Sequence, residues 1–178
     1  EYYMLRLNTD AARQNYGVDL IYGVDDTVFR LGGSGSGWSN SNGTSYIAYC
    51  FAEVPGYCRI GKYQGRFNSD GPYVHCGFRP AFVMRKRIDG TGRWFMQDNV
   101  RPGSNRAGTN SGQTGNDGRN FWLEANGTTA EQTSFYGIDF LANGFKVLTA
   151  EGAHNSNNGE YIYIAFADHP FKKSFGRL

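Results

Sequence analysis

A chain of 178 residues with 39% hydrophobic and 16% aromatic side chains is long enough to bury a core, as one domain or two small ones. Twenty-five glycines and that aromatic load argue against a helical protein, since glycine and the aromatics favour turns and strands. A formal net charge of +2 gives no field that would make nucleic acid or a membrane surface the main partner, and no apolar run reaches the length of a membrane span.

Apolar runs of strand length follow one another along the whole chain, separated by Gly, Asn, Ser and Asp. They cover residues 2–7, 27–31, 46–53, 57–63, 73–76, 81–87, 94–98, 121–125, 144–148 and 161–167. Short strands with turn signals between them predict an all-β chain, a β-sandwich or jelly roll of antiparallel strands. Only residues 10–14 and 128–132 offer a helical pattern, each about one turn long. Low complexity is confined to two loops, residues 32–37 and 102–119.

The first fifty residues recur, altered, in the last sixty. Leu5-Arg6-Leu7-Asn8-Thr9 is echoed by Leu123-Glu124-Ala125-Asn126-Gly127, and Val28-Phe29-Arg30-Leu31 by Gly144-Phe145-Lys146-Val147. Ser39-Asn40-Ser41-Asn42-Gly43 matches Asn155-Ser156-Asn157-Asn158-Gly159, and the run from Tyr46 to Glu53 matches that from Tyr161 to Asp168. Repetition at this spacing means two homologous modules rather than a short-period solenoid. The segment from about Val54 to Asn120 has no upstream counterpart. Residues 1–53 therefore read as the trailing half of a first copy and residues 54–178 as a complete second copy, with Glu1 not the biological start. The two are expected to share one pseudo-symmetric sandwich.

Cys50, Cys58 and Cys76 have no metal-ligand spacing and read as buried free thiols, with a Cys50–Cys58 bridge as the alternative. Within Arg85-Lys86-Arg87, Arg85 and Arg87 alternate as one solvated face of a strand would. Asp70-Gly71-Pro72 is a turn, and Phe78-Arg79-Pro80 separates one strand from the next, because proline cannot donate to a ladder.

The stretch from Asp70-Gly71-Pro72-Tyr73-Val74-His75-Cys76-Gly77-Phe78-Arg79-Pro80 through Arg87, followed by Gly92-Arg93-Trp94 and Asp98, is the most distinctive in the chain. With Tyr46 to Glu53, Gly56 to Tyr63, Phe140-Leu141-Ala142-Asn143-Gly144-Phe145-Lys146 and Tyr161 to Phe171, it resembles uncharacterised modules in tail proteins of tailed bacteriophages. The resemblance implies a virion protein made in the host cytoplasm, a tail fibre or receptor-binding protein with a concanavalin A-like lectin sandwich. Its implied partners are host cell-surface glycans and, in a homotrimer or beside other virion proteins, its own assembly. It supplies no catalytic residues.

An adhesin needs aromatic faces on which sugar rings stack, flanked by Asn, Asp or Arg for the hydroxyls. Trp38 in the Gly/Ser loop fits, as does Tyr63 with Arg66, Asn68 and Asp70 close by in sequence, whereas Trp94 and Trp122 read as core. Polysaccharide cleavage needs a facing carboxylate pair, and Glu53, Asp70, Asp89, Asp98 and Glu124 show no spacing that selects one. The chain is expected not to be an enzyme. His75, His154 and His169 are scattered and no EF-hand pattern occurs, so no cofactor is expected; calcium, often held by concanavalin A-like folds, has no place fixed for it.

Overall fold

The computed structural model describes residues 3–15, 21–32, 40–101, 120–134 and 137–170. It is nearly all β. The strands are β1 (Ile21–Val24), β2 (Phe29–Leu31), β3 (Cys58–Gln64), β4 (Tyr73–His75), β5 (Pro80–Arg87), β6 (Phe95–Asp98), β7 (Asn120–Glu124), β8 (Gln132–Ser134), β9 (Ile138–Leu141), β10 (Gly144–Val147) and β11 (Glu160–Ala167). One short helix, α1 (Gly152–Asn155), is capped by the Glu151 carboxylate, which accepts from Ala153 N–H at 3.0 Å.

Two compact units divide the chain: Glu1–Leu5 with Arg13–Phe51, and Arg6–Ala12 with Ala52–Leu178. In the first, β1 and β2 form an antiparallel hairpin, and Met4 bridges Gln14. The second holds a three-stranded sheet in the order β4-β10-β9 and a six-stranded sheet in the order β3-β11-β5-β6-β7-β8, every pairing antiparallel.

The alternation of β11 explains its central place. Tyr161, Tyr163 and Ala165 are buried on one side, in register with Tyr63, Gly61 and Arg59 of β3 and with Arg87, Arg85 and Val83 of β5. Tyr63, Val83, Tyr161, Tyr163 and Ala165 meet Val74, Ile138, Phe140, Phe145 and Val147 of the smaller sheet in one hydrophobic cluster, so the core draws on both sheets. Phe145 sits edge-on to Tyr63 and Tyr163, with ring centroids 6.2 and 5.3 Å away.

Several expectations are corrected. Residues 46–53 form no strand, although their sequence parallels β11, because burial of that pattern depends on strands such as β3 and β5 on either side. The described part of 2–7 forms only the Met4 bridge. Neither 10–14 nor 128–132 is helical, and Gln132 instead opens β8. Strands β1, β8 and β9 were not anticipated. Arg85 is buried rather than solvated, only 1% exposed, and Lys86 on the opposite face is buried as well, because β5 lies inside the sheet and is covered on both faces. Arg85 donates from Nη2 to Gln97 Oε1 at 2.8 Å and lies over the Phe95 ring, while Lys86 Nζ donates to the carbonyls of Asp10 and Arg87 at 3.1 and 2.8 Å. All three cysteines are free, but only Cys58 and Cys76 are buried; Cys50 is exposed. Trp94 and Trp122 are core residues.

Candidate functional site

A cleft of about 650 Å³ opens where β4 lies beside β3. Strand β3 contributes Arg59, Gly61, Lys62, Tyr63 and Gln64, and β4 contributes Tyr73, Val74 and His75. Arg66 closes one end, and the turn before β11 adds Asn157 and Asn158. Alternation on β4 sends Val74 into the core and leaves Tyr73 and His75 exposed, their rings 6.4 Å apart. The cleft lining thus combines aromatic rings, side-chain amides and cations.

Two glycines make the cleft wall. Opposite Tyr163, Gly61 leaves room for the tyrosine ring, since a Cβ there would stand 2.8 Å from its hydroxyl. At Gly65 a Cβ would stand 2.1 Å from the Ser156 carbonyl, so the chain leaving β3 passes this close to the turn before β11 only as glycine.

Buried Asn155 organises the loop that follows. Its Oδ1 accepts from Arg66 N–H at 2.7 Å, and its Nδ2 donates to the Asn68 and Thr149 carbonyls at 2.8 and 2.6 Å. Its own carbonyl accepts from Phe67 N–H at 2.9 Å, holding Phe67 at a left-handed φ of 48°. Asn155 went unnoticed in the sequence because nothing marks one asparagine among several; only its zero exposure and four bonds distinguish it.

The five residues expected to bind a ligand fare differently. Trp38 lies outside the described residues. Tyr63 and Arg66 both line the cleft, but the Tyr63 ring is buried, stacked on Tyr161 with centroids 4.7 Å apart, and its hydroxyl donates to the His154 carbonyl at 3.0 Å. It supports the wall and offers no exposed stacking face. Burial raises its phenol pKa above the ordinary value, with the Arg85 charge opposing. Asn68 spends its side-chain oxygen on Asp70 N–H at 2.8 Å, closing a turn. The Asp70 carboxylate pairs with Lys146, whose hydrogen bond and charge lower its pKa. Tyr73 and His75 were missed as site residues, although the alternation of Tyr73-Val74-His75 already put both on one face.

Each carboxylate considered for hydrolysis is committed to a separate cation. Glu53 pairs with Arg59 at 3.4 Å, Asp89 with Arg87 at 2.8 Å and Asp98 with Arg101 at 2.6 Å, while Glu124 pairs with Arg93. A smaller pocket of about 370 Å³ is lined by Asp10, Arg93, Phe95, Trp122, Glu124, Glu151 and His154. His154 is buried there beside Phe95, with ring centroids 4.0 Å apart, and desolvation with the Arg85 charge holds its imidazole well below its ordinary pKa. Among the described residues no three His, Cys, Asp or Glu side chains gather as a metal set, and no helix is long and apolar enough to cross a membrane.

A family model described as a domain of unknown function, DUF7483, matches residues 1–170. No curated protein and no solved structure matches the chain.

Proposed function

The chain belongs to the DUF7483 family of domains of unknown function, and we propose, from the resemblance in its sequence and from its cleft, that it is a non-enzymatic receptor-binding module of a phage tail fibre. In this reading it is a concanavalin A-like β-sandwich carried on the virion as a homotrimer or beside other virion proteins, and the cleft between β3 and β4 holds a host-surface glycan. The observation that carries it is the cleft wall: exposed Tyr73 and His75 beside the amides of Gln64, Asn157 and Asn158. Sugar recognition needs that combination of an aromatic face and hydroxyl-binding amides. A core drawn from two antiparallel sheets supports the sandwich. The separate ion pairs of Glu53, Asp70, Asp89, Asp98 and Glu124 support a binding role, because hydrolysis needs two facing carboxylates free to exchange protons and attack. The reading invokes no cofactor.

A glycan array probed with the intact chain tests it. Saturable binding, lost in Tyr73→Ala while the melting transition stays in place, is the expected result. Release of shortened glycan would make the protein a depolymerase. Silence across an array that contains the host's own surface polysaccharide would leave a structural or decorating virion role.

A further inference from the structure

Resting on the glycan-binding reading of this cleft, we infer that its ligand is an acidic glycan, one that carries carboxylate or phosphate groups. The cleft lining includes Arg59, Lys62 and Arg66 and no Asp or Glu. Of the acids around it, Glu53 pairs with Arg59, Asp70 pairs with Lys146 and also feels the Arg66 charge, and Glu160 of β11 stands opposite Gln64 of β3. Three cations thus line the cleft, and with Lys146 added the four outnumber the three carboxylates Glu53, Asp70 and Glu160. Lys62 and Arg66 are exposed and form no ion pair among the described residues.

The excess is local, since the whole chain carries only +2. Unlike charges scattered over a surface, Arg59, Lys62 and Arg66 line one concavity beside an exposed tyrosine. A neutral glycan would leave them to water, whereas carboxylate or phosphate would take charge-assisted bonds from them. Arg66 is held by its backbone, its N–H donating to buried Asn155, so its guanidinium starts from a fixed point at the end of the cleft. Tyr73 stacks on a ring, the amides bind hydroxyls, and Lys62 with Arg66 distinguishes acidic residues from neutral ones.

Titration of the intact chain with four probes tests the inference: polygalacturonate, the same polymer with its carboxyls reduced, a poly(glycerol phosphate) and neutral dextran. The acidic probe of the right chemistry should bind at least about tenfold more tightly than the neutral polymers, and its affinity should fall as salt rises, as screened charge pairs require. Binding to polygalacturonate alone assigns the charge to uronate, and binding to poly(glycerol phosphate) alone assigns it to phosphate. The double variant Lys62→Gln with Arg66→Gln should lose roughly tenfold for the acidic probe, on the order of threefold per exposed ion pair, with no change in melting. Equal, salt-independent binding of acidic and carboxyl-reduced polymer overturns the charge selectivity while leaving glycan binding in place. Acidic binding undiminished in the double variant removes it from this cleft. If all four probes and the glycan array are silent, the glycan-binding reading falls and the inference with it.

Discussion

Residues 41–46 and 156–161 make the same turn in different surroundings. Ser41 N–H donates to Tyr46 Oη at 3.1 Å, and Ser156 N–H to Tyr161 Oη at 2.8 Å. Thr44 N–H reaches the Ser41 carbonyl at 3.2 Å, and Gly159 N–H the Ser156 carbonyl at 2.9 Å. The left-handed position falls on Gly43 in one and Asn158 in the other, one residue away from the sequence match of Gly43 with Gly159. The β1–β2 and β9–β10 hairpins likewise pair Ile21 with Leu31 and Ile138 with Val147, although a register shift between Ile21 and Gly23 interrupts the first. Past these local elements the likeness stops. Tyr161 is 1% exposed, between β3 and β5, whereas Tyr46 is 46% exposed and Ile47 and Tyr49 are each 82% exposed. A turn is specified by the few residues that close it, while a buried strand depends on neighbours far away in the sequence.

Truncating one phenylalanine in each hairpin should separate the two most widely. Phe145 is fully buried and touches Tyr63 and Tyr163, so Phe145→Ala should cost about 3–5 kcal/mol in urea unfolding. Its counterpart Phe29 is 37% exposed, and Phe29→Ala should cost below about 1 kcal/mol. Equal costs would mean that the first hairpin is covered in solution as the second is.

Between about pH 7 and about pH 5 acid should act through the second unit, which holds all three histidines. His154 is buried neutral, its pKa held well below the ordinary value by desolvation and then by Arg85. An unfolded histidine takes up its proton near about pH 6.5, so below that the unfolded state binds more protons and stability falls with pH, by up to about 1.4 kcal/mol per pH unit. The carboxylates Asp70 and Asp89, whose pKa values are lowered by Lys146 and Arg87, lose their contribution only below about pH 4. Urea midpoints of the wild type should therefore drop between about pH 7 and about pH 5, and His154→Gln should flatten that slope. A slope that survives the substitution assigns the proton elsewhere.

Removing one hydroxyl should show the same contrast more weakly. Tyr161 Oη accepts from Ser156 N–H and donates to the Gly152 carbonyl at 2.8 Å, so Tyr161→Phe should cost about 1–2 kcal/mol. Tyr46→Phe, at an exposed turn, should cost a few tenths, roughly. The smallest effect is spectroscopic. Hydrogen bonds from Ser41 lower the pKa of the exposed Tyr46 phenol, whereas burial overrides the corresponding bond at Tyr161 and pushes it up to about 12. Resolved tyrosine titrations should show Tyr46 ionising first; the reverse order would place both rings in the wrong surroundings.

The same division decides what could be read in the chain. The expected strands at 57–63, 81–87, 144–148 and 161–167 overlap β3, β5, β10 and β11, because their apolar periods are long or continuous. Residues 46–53 carry the same pattern and form no strand, since pairing is a property of neighbours. Arg85 looked solvated because charge normally marks a surface, and its burial goes with a bond to Gln97 of β6, too remote for pattern reading. At the cleft, Arg66 was legible as a polar residue near an aromatic. The exposure of Tyr73 and His75 followed from alternation alone, whereas the burial of Tyr63 beneath Tyr161 required the register of β3 against β11.

Nuclear magnetic resonance of the isotope-labelled chain during titration with host-surface polysaccharide tests the cleft most directly. Saturable shifts should gather on Arg59, Lys62, Gln64, Arg66, Tyr73, His75, Asn157 and Asn158. Saturable shifts that instead gather around Trp122 and Glu151, or on residues 46–50, with the β3–β4 cleft silent, would contradict the account.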